Sequence, residues 1–206
     1  AVNEKTEIVW VHYYDYDVYL KDRNINDSVS KNTGVFIDEY LPFHSDYAYS
    51  GLRVPATPDE YYPKIIRFFD YLEGEFGLKI IIAAHPRSRY EDYPDFFGGR
   101  PVLRGRTSEL VKKSEFIIMH TSTAINYAVL YEKPVIIITT DKYNKGLTED
   151  PTPEWLAGFF GKKVHNLDYP YEFDLSKELC VDNNAYHAYR NAYIKKDGTE
   201  DLLSWQ

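Results

Sequence analysis

Asp38 and Glu39, His85, and the run His120-Thr121-Ser122-Thr123 are the groups in this chain of 206 residues whose types could do chemistry together. A histidine set against a phosphate oxygen can serve as a general acid or stabilise charge on a leaving group. Hydroxyls and unpaired backbone N–H groups at the start of a helix hold anions. A carboxylate such as Asp38 or Glu39 could take the proton from an acceptor hydroxyl. As a set they suit transfer of a group from a nucleotide. Arg87, Arg89, Arg104 and Arg106 fall in loops near them, and guanidinium forks match phosphate or carboxylate even in an acidic protein. Each arginine alone also reads as a surface charge, and Thr-Ser-Thr alone as no more than a helix cap.

These groups need elements that bring them together. Glu115 to Thr140, EFIIMHTSTAINYAVLYEKPVIIITT, reads as strand, polar turn, helix and strand. EFIIMH and VIIIT are near-continuous apolar runs, as strands buried on both faces require. Thr121, Ser122 or Thr123 can cap a helix over about Ala124 to Glu132, which Pro134 ends by disfavouring helical geometry in the residue before it. GVFIDE, from Gly34, and LKIIIAAHP are further strands, VLRG a short edge strand and KKVHNL a last one. Helices are expected from Thr57-Pro58 to Phe76 with Gly77 as its stop, from Thr107 to Lys113, from Thr152 to Phe160, and from Asn183 to Lys195. EIVWVH, residues 7–12, is a strand candidate; the Asn- and Asp-rich segment after it reads as loop, and so does the long stretch from Leu41 to Glu60.

Alternating strands and helices with right-handed crossovers imply an α/β fold, a doubly wound parallel sheet in three layers. In such a sheet all carboxyl ends lie on one edge. Asp38-Glu39, His85 and His120 to Thr123 each end a strand, so they should converge there, with His120 and the three hydroxyls facing solvent.

Composition narrows the function classes. A formal net charge of −8 and a pI near 5.3 argue against a nucleic-acid surface, which needs clustered Lys and Arg. Cys180 is the only cysteine, which excludes an internal disulfide and fits a reducing, cytoplasmic setting. No apolar run approaches the roughly 20 residues of a membrane span. GxGxxG, GxxxxGK[ST] and GxSxG are all missing, so no cofactor is implied. His12, His44, Asp15 and Asp17 have no metal-ligand spacing. Twenty tyrosines are either platforms for sugar or base rings or packing groups at a half-exposed surface.

His85-Pro86-Arg87 after one strand and HTSTAINYAVLYEKPVI over the next unit resemble the C-terminal, nucleotide-sugar-binding half of GT-B-fold glycosyltransferases. The similarity is to capsular and lipopolysaccharide biosynthesis proteins and to bacterial sialyltransferase-like and Kdo-transferase-like enzymes. It spans roughly residues 34–167. It implies a Rossmann-like domain over 34–206 that holds a nucleotide-sugar donor, with CMP as the nucleotide. By the resemblance, His85 and Pro86 form the His-Pro motif at the donor phosphate. Ser122-Thr123, or Thr121-Ser122, form the Ser/Thr pair that binds the phosphate or the sugar carboxylate, with Arg87, Arg106, His120 and Asn126 around them. Asp38-Glu39 would be the acidic pair, except that Tyr40 stands where the motif has glycine and the family's base belongs to the N-terminal domain. The resemblance further implies a missing N-terminal GT-B domain, with residues 1–33 as an interdomain remnant or an added strand and loop, and an isolated half that is inactive. It places the protein in polysaccharide assembly at the inner face of a bacterial membrane, peripherally attached. A UDP-sugar 2-epimerase-like domain is the alternative, weakened because Tyr127 occupies the position of the ribose-binding glutamate. A non-catalytic α/β interaction domain with a tyrosine-rich partner face is the other.

Overall fold

The computed structural model describes residues 6, 11–25, 28–51, 53–92, 94–146 and 152–204. Its centre is a six-stranded, all-parallel sheet. The strands are β1 (Thr33–Ile37), β2 (Lys79–Ala84), β3 (Val102–Arg104), β4 (Phe116–Met119), β5 (Val135–Thr139) and β6 (Val164–Asn166), in the spatial order β3-β2-β1-β4-β5-β6. This is the doubly wound α/β fold the sequence implies. The order reverses between β1 and β4, and a crevice opens at such a reversal because the connections leave the neighbouring strand ends in opposite directions.

Both faces of the sheet are covered, and side-chain alternation divides the core accordingly. Phe36, Ile80, Ile82, Ile118, Ile136 and Ile138 pack in one cluster with Tyr61, Ile65, Phe68, Phe69 and Leu72 of α3 (Pro58–Phe76). Ile37, Ile117, Met119, Val135 and Ile137 pack in the other. There they meet Val111 of α4 (Thr107–Lys113), Ala128 of α5 (Ile125–Leu130), Leu156 and Phe160 of α7 (Pro153–Phe160), and Tyr186 and Tyr189 of α9 (Asn183–Tyr189).

The expected end signals of α3 are present. Thr57 and Glu60 form a capping box, and Gly77 takes the left-handed conformation (φ 64°) that a helix stop of this kind requires. Among the described residues the β2 to β3 crossover carries no α-helix but two 3-10 turns, Tyr90–Asp92 and Pro94–Phe97. The helix after β4 is shorter than expected and starts at Ile125, because Ser122 to Ala124 form a turn first.

Several elements depart from the sequence reading. The strand expected over 7–12 lies outside the described residues except for Val11 and His12, which are irregular. Tyr14–Asp22, expected as loop, is a helix (α1) whose wholly buried Tyr16 joins the second core cluster. The short helix α2 (Ser45–Tyr49) also lies in a stretch read as loop, and α6 (Asp141–Gly146) and α8 (Leu175–Glu178) lie where the sequence reading gives no element. No helix among the described residues is long and apolar enough to cross a membrane.

Gly34 opens β1 against β4, and a β-carbon there would lie 2.4 Å from the Phe116 ring. Phe116 is itself wholly buried, so neither group can yield. Gly34→Ala is therefore expected to cost about 1–3 kcal/mol by overpacking. Thermal unfolding checks this, and adding Phe116→Leu should recover part of the loss.

Candidate functional site

The chain turns sharply as it leaves β1. Asp38 Oδ1 accepts the Tyr40 N–H at 2.9 Å, and Tyr40 takes a left-handed conformation with φ 52°. Glycine adopts that conformation freely, whereas an L side chain pays roughly 1–2 kcal/mol for it. Tyr40 thus holds a backbone conformation that glycine would adopt without strain. Its ring is buried against Tyr90 and Phe43.

Asp38 is 3% exposed and satisfied on both oxygens. Its Oδ2 accepts the His85 N–H at 3.2 Å and the Tyr90 hydroxyl at 2.9 Å, while Tyr62 and Tyr90 share a hydroxyl bond at 3.0 Å. Burial pushes this carboxyl up to about 6, against the pull of its three donors. Asp38 clamps the end of β1 to the end of β2. With its oxygens taken by these donors, it borders the larger of two clefts as a nearly buried carboxyl.

Glu39 makes the corresponding tie across the crevice. Its Oε1 accepts the Thr121 N–H at 2.7 Å, and its Oε2 the Tyr143 hydroxyl at 3.1 Å. Thr121 and Tyr143 hydroxyls meet at 2.7 Å. Burial, with a smaller contribution from the Asp38 charge, raises Glu39 to about 7. It is half-buried, less enclosed than Asp38, and lines the smaller of the two clefts, whereas Asp38 borders the larger.

His120 does not face solvent, as the sequence reading expects, but is fully buried. Its Nδ1 lies 2.8 Å from the Ile138 carbonyl and its Nε2 2.8 Å from the Tyr61 hydroxyl. Nδ1 must then carry the proton and Nε2 accept, so the ring is neutral. Burial lowers it to about 4. His120 fastens β4 to β5 and to α3 beneath the site.

His85, at the end of β2, is half-buried and open to the crevice. Its Nδ1 accepts the Arg87 N–H at 3.2 Å, which leaves Nε2 as the protonated donor of the neutral ring. Burial, then the neighbouring His44 and Arg87, hold its pKa below the ordinary histidine value. The His44 and His85 rings lie 4.8 Å apart.

Ser122 and Thr123 form the turn between β4 and α5. Ser122 Oγ accepts the Ala124 N–H at 3.2 Å, and Thr123 is exposed. The turn and His85 are shared by two clefts, of about 790 and 460 Å³. The larger is floored by Ile37, Ala83 and Ala84 and bordered by Pro86, Arg106 and Tyr127; the smaller runs past Glu39, His44 and Tyr47.

The remaining expected residues are placed less directly. Arg87 is exposed and bound to Asp46 at 2.9 Å and Ser45 at 3.0 Å. Arg106 borders the larger cleft but is forked onto Glu109, at 2.8 and 2.6 Å. Asn126 is buried and donates to Asp15 of α1 at 2.9 Å. Asp15 and Val18 make α1 a wall of the larger cleft. Sequence reasoning missed this wall, although Asp15 and Asp17 in the first turn and Lys21 in the last are a helix signal.

No protein-family model matches this chain, and no curated protein matches its sequence. Among solved structures, UDP-GlcNAc 2-epimerase of Methanocaldococcus jannaschii, in complex with UDP-GlcNAc and UDP, is similar at a TM-score of 0.40 and 11% identity. The likeness covers 86% of this chain and 48% of that one, so the chain spans about half its length.

Proposed function

We propose that this chain is the donor-binding domain of a glycosyltransferase, of the GT-B type, that takes a nucleotide-activated sugar with CMP as the nucleotide. The observation that carries this reading is the meeting of His85-Pro86, from the end of β2, with Ser122-Thr123, from the end of β4, on one crevice where the strand order reverses. Ligands of open α/β sheets bind at that crevice. The Nε2–H of His85 and the exposed hydroxyl of Thr123 supply donors for a phosphate, and Arg106 lies on the rim. A 790 Å³ cleft is within the size range of small-molecule sites.

In this reading His85 binds the donor phosphate and stabilises the charge that develops on it as the glycosidic bond breaks. Asp38 and His120 hold the strand ends in register. Both carboxylates of the acidic pair border a cleft, and Glu39 is the less buried of the two, so it is the better placed to exchange a proton with a substrate. The wider role, assembly of a bacterial surface polysaccharide at the cytoplasmic face of the membrane, belongs to the same proposal. It rests on the sequence resemblance.

Calorimetric titration with CMP, CMP-sialic acid, CMP-Kdo and UDP-sugars tests the reading. CMP should bind, and His85→Ala and Ser122→Ala should each weaken it about tenfold or more, the loss of one hydrogen bond to a charged group. Preference for UDP would move the chain to the 2-epimerase-like alternative. Absence of binding by any nucleotide would end both readings.

A further inference from the structure

A third cleft, of about 320 Å³, also opens on the Thr121 to Thr123 turn. Its floor is Ile125 and Leu156, each 2% exposed, and its walls are Trp155 of α7 with Tyr189 and Tyr193 from the C-terminal helical segment. No residue lining it carries a charge.

The aromatic walls hold one another in place. Trp155 and Tyr193 stand 6.0 Å apart at 77°, Phe159 contacts both at 5.8 and 6.1 Å, and Tyr189 lies 4.9 Å from Tyr193. Each is half-buried or buried apart from Tyr193, which is 49% exposed. The cleft is thus a preformed corner of two ring systems with a rim of hydroxyls, and its shape and chemistry select the occupant.

A nucleobase stacks between parallel faces and is read along its edge by amides or charges. Here Trp155 and Tyr193 stand at 77° and Tyr189 and Tyr193 at 44°, so neither pair of faces is parallel, and the lining side chains hold neither amide nor charge. An alkyl chain would leave the hydroxyls of Ser122 and Thr123 facing hydrocarbon, which is costly. A charged sugar acid finds no cation. A neutral saturated ring, with C–H groups on its faces and hydroxyls around its edge, meets aromatic walls with the first and the Thr121 to Thr123 rim with the second.

We propose that this cleft is a subsite for a neutral pyranose, the acceptor sugar ring that lies beside the donor. Naming that ring the acceptor's rests on the donor-site reading of the adjoining crevice; the subsite itself does not.

Saturation-transfer NMR on the full chain, with the methyl pyranosides of glucose, galactose and N-acetylglucosamine at millimolar concentration, tests it alongside a separate CMP titration. At least one pyranoside should show transfer to its ring C–H protons. Trp155→Ala and Tyr193→Ala should each weaken that binding at least tenfold, with far-UV circular dichroism and CMP affinity within twofold of the parent. Tyr193→Phe should retain it. No transfer to any pyranoside overturns the proposal, as does binding unchanged in both alanine variants, or octanol taking up the cleft where the pyranosides do not. Pyranoside binding without any CMP binding keeps the subsite and overturns the donor reading, and with it the acceptor assignment.

Discussion

Asp38→Ala is expected to lower the stability of this domain by about 3 kcal/mol, because three donors lose their acceptor at once and a buried donor left unsatisfied costs about 1–3 kcal/mol. The donors are the Tyr40 and His85 N–H groups and the Tyr90 hydroxyl. The sum stays below three full penalties because burial already disfavours the ionised Asp38, whose pKa is pushed up to about 6, and the substitution removes that cost. Asp38→Asn should lose less, about 1–2 kcal/mol: its Oδ1 can still accept from Tyr40 and Tyr90 can turn its hydroxyl to accept from the new amide, while the His85 N–H loses its acceptor. Urea unfolding followed by circular dichroism measures both. Were Asp38 a catalytic base held in reserve, the alanine variant would unfold at the parent's midpoint and lose only turnover in the assembled enzyme. The same clamp sets the path of the chain into His85, so Asp38→Ala should also weaken CMP binding.

Glu39 gives the second large effect, and it is a dependence on pH. Its carboxyl sits at about 7 in the folded protein, against an ordinary value of 4.5. Between these values the folded chain keeps a proton that the unfolded chain gives up, so stability falls as pH rises through this window and levels off above 7. A shift of that size corresponds to about 3 kcal/mol. Asp38, raised from 3.8 to about 6, acts in the same direction. Glu60 and Glu109, lowered to about 2 by their partners Lys142 and Arg106, act in the opposite direction but below pH 4.5, outside the window. The parent should therefore be more stable at pH 5 than at pH 8. Glu39→Gln should flatten that slope and be the more stable of the two at pH 8, since glutamine can accept from Thr121 and donate to Tyr143 without a charge. Parallel stability curves for the two proteins between pH 5 and 8 would exclude this account. The cleft next to Glu39 inherits the same titration: an anionic donor meets a neutral acid at pH 6 and a carboxylate at pH 8, so CMP affinity should fall over that range and fall less in the glutamine variant.

The sequence by itself determined the frame. Near-continuous apolar runs and the end signals of α3 are properties of adjacent residues, so β1, β2, β4, β5 and the long helix follow from local chemistry. So does the gathering of His85, Ser122 and Thr123 on one edge, because a parallel sheet puts every strand's carboxyl end there. The helix α1 escaped because its Asn- and Asp-rich surroundings read as loop and its buried Tyr16 finds its place in the second core cluster only against Arg190, Lys195 and Asp201 of the C-terminal segment.

What each polar group does was decided only by tertiary structure, because every deciding partner lies far along the chain. Asp38 becomes a clamp through Tyr90, His120 becomes a neutral core residue through Tyr61 and Ile138, and Asn126 is buried as the donor to Asp15 of the cleft wall. Glu39 is left at a cleft because Thr121 and Tyr143 take only one bond each from it. A side chain's pKa and reach depend on burial and on those distant donors, which no window of neighbouring residues contains.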